Sequence, residues 1–473
     1  MHSLLLAAYS TLMWMLQPVL RAKLARRAKA EPAYAQHMAE RFGYYTQAAQ
    51  PSQGNPVVWV HAVSLGETRA AAILLAQLRS QLPGMRLLLT HSTATGRAEG
   101  AKLLKPGDVQ AWLPWDTLGA TQRFLQHFRP HIGILMETEI WPSLCAQAQS
   151  ARVPLVLANA RLNAQSLHAA QRVAWLARPA YASLAQVWAQ TEADAQRLAT
   201  IGAQHISVQG NLKYDIALDA AQVAQGLAWQ QASHRPVIML ASSREGEEAL
   251  FLQVISALQA VEPAQAAMLN IANKPNINDV QWLIVPRHPQ RFDEVAALIG
   301  QAGFSIARRS NWGMTIDTKT DTDTDTGNAA EKGAALPATH GVAAAAAPAQ
   351  VWLGDSLGEM ALYYSLSHSA LLGGSFAPLG GQNLIEAIAA GCPVVMGQHT
   401  FNFADAAATA QAQGAALRVV DMAQGVSTAV ELVMSSAQLK TMQVAGEHWL
   451  SASRGAAQRT AQAVVSAMPA PPD

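Results

Sequence analysis

Cysteine is almost missing from this sequence. Two residues in 473, Cys145 and Cys392, stand far apart and form no C-x-x-C pair, which excludes a disulfide scaffold and leaves two buried thiols in a reducing compartment. Excess charge of either sign is missing as well: 33 basic against 32 acidic residues give a net +1. Nucleic acid therefore has no global electrostatic hold on the chain, and any anion site must be local. Several signatures are absent too. There is no G-x-x-x-x-G-K-[ST] phosphate loop, no G-x-G-x-x-G after the first strand and no G-x-S-x-G nucleophile elbow. No histidines have H-x-x-H or H-E-x-x-H spacing, so no metal is expected; His61, His91 and His288 read as hydrogen-bonding groups of a site or core.

Long apolar runs are missing with one exception. Leu4 to Leu20, "LLLAAYSTLMWMLQPVL", is followed by Arg21, Lys23, Arg26, Arg27 and Lys29. A cleaved signal peptide has its positive charge before the apolar run, so this segment is expected to stay, with residues 1–30 as membrane anchor and basic flank. The run only reaches the ~18-residue lower limit for spanning, and Gln17-Pro18 weakens it. A spanning helix by the positive-inside rule, or one lying on the bilayer, leaves the rest of the chain on the cytoplasmic side.

Half the residues are apolar, enough for two domains with ordinary cores. From Pro56 onward, apolar runs such as "VVWVHAVS", "RLLLTHS", "IGILMETE" and "VPLVLANA" alternate with helical patterns. The rhythm restarts with "RPVIMLASS", "WLIVPRHP", "QVWLGD", "SALLGGS" and "CPVVMG". This predicts an α/β protein of two Rossmann-like, doubly wound domains, residues 31–222 and 223–455, with 456–473 as a C-terminal helix or tail. Residues 315–350, low in complexity and poor in bulky apolar side chains, read as a disordered insertion in the second domain. Their Asp-Thr repeat lacks the glycine and terminal glutamate of an EF-hand. A milder insertion, "AQAAMLNIANKPNINDVQ", precedes the "WLIVPRHP" strand.

Ligands of doubly wound sheets sit beyond the carboxyl ends of the strands. There "HAVSLGE" places Glu67 where a strand becomes a helix; it is either a helix cap or a base, since a carboxylate would repel phosphate. Glu137 and Glu139 stand at i and i+2, so a continuing strand would aim both at one face, at a cost unless a cation is shared or one is protonated. Pairing with an arginine such as Arg161 is the structural alternative. In the second series, "GGQNLIEAIAAG" puts two glycines and an asparagine before a helix, an anion site that Arg287 of "PRHP" could complete, with Glu386 placed to accept from ribose hydroxyls.

In order, "ERFG", "HAVSLGE", "METEIWP", "ANARL", "QGNLKYD", "REGEE", "VPRHPQRF", "GDSLGEM" and "GGQNLIEAIAAGCPVVMGQHTFNF" resemble the Kdo transferase family, from about Arg41 to Phe403. These bacterial enzymes move 3-deoxy-D-manno-octulosonic acid (Kdo) from CMP-Kdo to the lipid A precursor, lipid IVA, in lipopolysaccharide core biosynthesis. The resemblance implies an inverting glycosyltransferase with the GT-B fold, two domains facing a cleft. It places the protein at the inner membrane with its domains cytoplasmic, with no cofactor or metal and no nucleic-acid partner. Glu67 matches the family's general base. Lys213 matches the lysine that stabilises the departing phosphate, and Glu137 a glutamate implicated in the transition state. Pro286, Arg287, Leu357, Gly358, Glu359, Asn383, Leu384, Ile385 and Glu386 match the CMP-binding positions. Gln382 and Gln398 depart from the usual histidine and proline. Two other readings stay open: a membrane-associated GT-B enzyme using a UDP-sugar, and an inactive nucleotide-binding scaffold.

Overall fold

The computed structural model describes residues 2–47, 55–260, 279–312 and 349–469. The chain forms two compact units, residues 1–215 with 453–473, and residues 216–452.

The first unit holds a seven-stranded parallel sheet in the order β3-β2-β1-β4-β5-β6-β7. Its strands are β1 Val57–His61, β2 Arg86–His91, β3 Val109–Trp112, β4 Ile132–Met136, β5 Leu155–Ala160, β6 Gln186–Ala189 and β7 Ile206–Val208. Strand periodicity explains why β1 is apolar throughout: Val57 and Trp59 enter one core, Val58 and Val60 the other, so both faces are covered. The second unit repeats the plan in the order β10-β11-β9-β8-β12-β13-β14. These strands are β8 Val237–Ser243, β9 Gln281–Pro286, β10 Ile306–Arg308, β11 Val351–Leu353, β12 Ser369–Leu372, β13 Val394–Met396 and β14 Ala416–Arg418. Sequence order reverses between β1 and β4 in one sheet and between β8 and β12 in the other. Those are the switch points where a doubly wound sheet opens a crevice. The pattern missed β3, β10 and β14, which lie at sheet edges and are only three or four residues long.

The domain limits differ from the expected ones at both ends. Residues 216–222 belong to the second unit because the helix Ala220–Ala232 lies against the helix Met360–Leu366. The approach is so close that a Cβ on Gly226 would stand 2.5 Å from the Leu362 carbonyl oxygen. Gln222 Nε2 also donates to Gly358 O at 2.8 Å. The C-terminal helix Ala456–Ala467 is no separate tail: Ala456, Ala457, Ala461 and Val464 complete a core of the first unit. Asp215 fastens its start by accepting from Gly455 N–H and Ala457 N–H, both at 2.6 Å. A capping bond of this kind is worth roughly 1 kcal/mol.

The expected Leu4–Leu20 run is divided into two helices, His2–Met15 and Gln17–Ala30, the second with Pro18 in its first turn. Among the described residues, no helix is long and apolar enough to cross a membrane. The first helix docks on the first unit through buried Leu6, through Ser10 Oγ, which accepts from Leu118 N–H at 2.9 Å, and through a Tyr9–Asp116 hydrogen bond. Leu4, Leu12, Trp14, Met15, Leu16 and Val19 remain exposed. Of the proposed insertion 315–350, only 349 and 350 are among the described residues, and both are engaged: Ala349 is buried and Gln350 Oε1 accepts from Ser305 N–H at 3.1 Å. The Asp-Thr repeat lies outside the described residues, as does most of the insertion before β9.

Candidate active site

In the first unit the loop after β1 ends at Ser64, the N-cap of the helix Leu65–Gln81. Glu67 sits three residues on and closes a capping box. Its N–H donates to Ser64 Oγ at 3.3 Å, the Ser64 hydroxyl donates to Oε1 at 3.0 Å, and Val63 N–H donates to Oε2 at 2.8 Å. Glu67 is therefore a cap. It is also half-buried beside further charge: burial raises its pKa most, Glu137 raises it further, and the bonds from Val63 and Ser64 and the nearby Arg161 oppose the rise. The carboxylate is fixed in place, keeps free lone pairs, and is more basic than an ordinary glutamate.

Glu137 and Glu139 do not share a strand face. β4 ends at Met136, and Glu137 takes a left-handed turn conformation, φ +57°, so the two side chains part. Buried Glu137 faces Arg161 Nε at 2.8 Å and Lys213 Nζ at 3.4 Å. Lys213 follows β7 on a short 3-10 turn, Leu212–Asp215, held by Leu212 N–H to Asn159 Oδ1 and Lys213 N–H to Asn211 Oδ1, both 3.0 Å. Glu139 turns instead toward Trp141, whose Nε1 donates to Oε2 at 2.9 Å, and toward His61. Burial, then Glu67, push Glu139 up to about 7. The sequence reading raised Glu139 only as the twin of Glu137; a second acid at a strand end was the signal.

His61 and His91 are buried and neutral. Burial, first, and His91 next press His61 down to about 3, and burial takes His91 to about 4. His91 Nδ1 bonds Ala62 O at 2.8 Å while Gln110 donates to Nε2 at 3.1 Å. The 3.9 Å contact of His61 with Glu139 has ion-pair range, but a neutral ring makes it no ion pair.

In the second unit the strand-end acids are occupied. Glu247 accepts from Arg244 N–H and Gly374 N–H at 2.9 and 2.7 Å, and from Phe376 N–H at 3.2 Å, so it joins the loops after β8 and β12. Gly373 in that second loop must be glycine: a Cβ would lie 2.5 Å from the carbonyl oxygens of Ala241 and Ser242. Glu248 takes the Ser243 hydroxyl and a forked pair from Arg291 at 2.7 and 3.2 Å. Sequence reasoning quoted "REGEE" without assigning these roles; acids opening a helix were the available signal.

The loops after β8 and β9 are rich in basic side chains. The loop after β9 carries Arg287 and His288, and His288 is depressed by burial and then by Arg244, Arg287 and Arg291. Buried Tyr364 feels both Glu386 and Arg287, which places the "PRHP" loop near the helix Leu384–Ala389. Asn383 caps that helix, accepting from Ile385 N–H at 3.1 Å. Leu384 and Ile385 are buried core side chains, so they can offer a ligand only backbone. Leu357 is 69 % exposed, and Gly358 has φ +81°. Glu359 is engaged by Ser356 and by Arg309 Nη2 at 2.8 Å. Gln398 Nε2 is spent on Val419 O at 2.7 Å, and Gln382 N–H on Gly373 O at 3.1 Å.

Residues 36–216 match the family described as 3-Deoxy-D-manno-octulosonic-acid transferase (kdotransferase). The chain is 46 % identical over 429 residues, 90 % of either protein, to the 3-deoxy-D-manno-octulosonic acid transferase of Bordetella pertussis. It is 31 % identical over 459 residues to the enzyme of that name from Haemophilus influenzae, covering 95 % of this chain and 96 % of that one. Among solved structures, a glycosyltransferase from Rickettsia africae matches with TM-score 0.51 and 12 % identity over 87 % of this chain and 97 % of its own, a likeness of fold.

Proposed function

The chain belongs to the 3-deoxy-D-manno-octulosonic acid transferase family, and from that premise we propose that Glu67 is the base and the second unit the donor site. The protein is a GT-B glycosyltransferase that transfers Kdo in lipopolysaccharide core biosynthesis. Glu67 takes the proton of a lipid A precursor hydroxyl as that oxygen attacks the anomeric carbon of Kdo; a base positioned this way is worth roughly 10²–10⁴ in rate. The observation that carries the reading is the capping box, which holds a carboxylate of raised basicity at the β1–β4 switch point.

Departure of CMP builds negative charge on phosphate, which pre-oriented cations and amides offset. Lys213 takes that part, and its contact with Glu137 gives the latter the task of positioning it. Pro286, Arg287, Leu357, Gly358, Glu359 and Asn383 to Glu386 bind CMP: Arg287, with Arg244 beside it, as cations, and Leu384 and Ile385 through backbone alone. No resident metal or cofactor is needed. The inner membrane is the site of action, with both units cytoplasmic. The exposed apolar side of the first helix and the basic cluster from Arg21 to Lys29 suit an anionic bilayer surface, and docking through Leu6 and Ser10 favours a helix lying on that surface. Incubating the purified chain with Kdo, CTP, a Kdo-activating enzyme and lipid IVA should give acceptor masses raised by whole Kdo units. Transfer from UDP-sugars in place of CMP-Kdo would refute the donor assignment.

A further inference from the structure

The reading above leaves one acid of this cluster without a task, Glu139, and among the described residues a buried imidazole nitrogen beside it has no hydrogen-bond partner, His61 Nε2. They face each other. His61 is 0 % exposed, and its Nε2 lies 3.9 Å from Glu139 Oε2 with no hydrogen bond from any described residue. The surrounding network assigns the tautomer. Nδ1 stands 3.1 Å from the Thr90 carbonyl oxygen and 2.9 Å from the Thr90 hydroxyl, which already accepts from Trp59 Nε1 at 2.8 Å. A carbonyl oxygen only accepts, so a lone pair on Nδ1 would oppose it; the hydrogen sits on Nδ1 and Nε2 presents the lone pair. Leaving such an acceptor unsatisfied in the interior is costly. A carboxylate cannot satisfy it. A carboxylic acid can, since its hydroxyl accepts from Trp141 and donates to the ring.

We propose that Glu139 carries a proton directed at His61 Nε2 and, by staying neutral beside Glu67, is a positioning residue that keeps the negative charge of the pair on Glu67.

The donor inventory decides which acid keeps the proton. Glu67 receives Val63 N–H and the Ser64 hydroxyl, whereas among the described residues Glu139 receives Trp141 Nε1 alone. Of two carboxyls that repel each other, the one with fewer donors is the easier to protonate. Glu137 adds repulsion from the end of β4, partly offset by its own partners Arg161 and Lys213. On the β1 side, His91 and Arg41 disfavour a charge on His61, so the ring cannot serve Glu139 as a cation. Burial and the Glu67 charge place the Glu139 titration near 7, so the proton is held in the acid half of the working range. The 3.9 Å gap exceeds a hydrogen bond by about 1 Å, within reach of a side-chain rotation.

The catalytic consequence rests on Glu67 being the base; the proton itself does not. Infrared difference spectra of the full chain across the neutral range should show a protonated-carboxyl C=O stretch that vanishes with a midpoint near pH 7. The band should be missing in Glu139→Gln, and its midpoint should rise in Trp141→Phe, which removes the donor favouring the carboxylate. The kcat–pH profile should carry an inflection at the same midpoint that Glu139→Gln loses while the acid limb set by Glu67 stays. Glu139→Gln, whose amide still donates to His61, should keep kcat roughly tenfold above Glu139→Ala, the factor that one net hydrogen bond represents. A band unchanged in Glu139→Gln, or equal losses in the two variants, would overturn the proposal. Should Glu67→Gln leave transfer intact while the band behaves as stated, only the base assignment falls.

Discussion

In the first unit three acids gather where sequence order reverses across the sheet, and among the described residues Glu137 is the one that forms ion pairs with arginine and lysine, Arg161 and Lys213. At the corresponding edge of the second unit, Glu247, Glu248, Asp355 and Glu359 are all engaged in holding loops together. Arg244 and Arg287 give the loops after β8 and β9 a positive sign, and burial and then these arginines hold His288 below its ordinary pKa. The same doubly wound plan is thus tuned to opposite chemistry by which side chains are satisfied internally. A carboxylate without an ion pair suits proton removal, and gathered arginines suit a phosphate leaving group.

The largest effect expected from breaking this contrast comes from Glu67→Gln, which should lower kcat by roughly 10²–10⁴ in a steady-state transfer assay. Next is Arg287→Ala. Losing a charge-assisted hydrogen bond of roughly 1.5–3 kcal/mol should weaken CMP binding by about one to two orders of magnitude, and added salt should narrow the gap to wild type. An unchanged dissociation constant would remove Arg287 from the donor site.

A smaller effect concerns stability. The folded pKa of Glu139, about 7, lies above the ordinary 4.5, so the folded state binds this proton more tightly than the unfolded chain. The contribution is fully present below about pH 4.5 and is lost as pH rises to about 7, with a slope of at most about 1.4 kcal/mol per pH unit. Urea midpoints of Glu139→Gln should therefore gain on wild type across that window, and parallel curves would contradict it. The smallest effect is at the N-terminus, where the apolar helix is carried by the first unit. Leu12→Ser with Trp14→Ser should reduce sedimentation with anionic vesicles several-fold, the basic cluster retaining about 1 kcal/mol per residue near the surface. Unchanged sedimentation would refute surface binding through that helix.

Much of this was legible in the sequence. Alternating apolar runs gave both sheets because strands buried on both faces are near-continuously apolar. The ordered motifs identified the residues at the strand ends. Three things were hidden. Edge strands such as Ile306–Arg308 are too short and polar to show a period. The C-terminal helix reads like any amphipathic helix, and only Asp215 and the core it completes assign it to the first unit. The parting of Glu137 from Glu139 depends on one left-handed residue, Glu137, which i, i+2 spacing cannot reveal.

The division of labour is tested most directly by titrating CMP into Glu67→Gln in a calorimeter, alongside its transfer rate. The account predicts a dissociation constant equal to that of the wild type with transfer slowed by roughly 10²–10⁴. Weakened CMP binding in step with lost transfer would place Glu67 in the donor site and contradict the account.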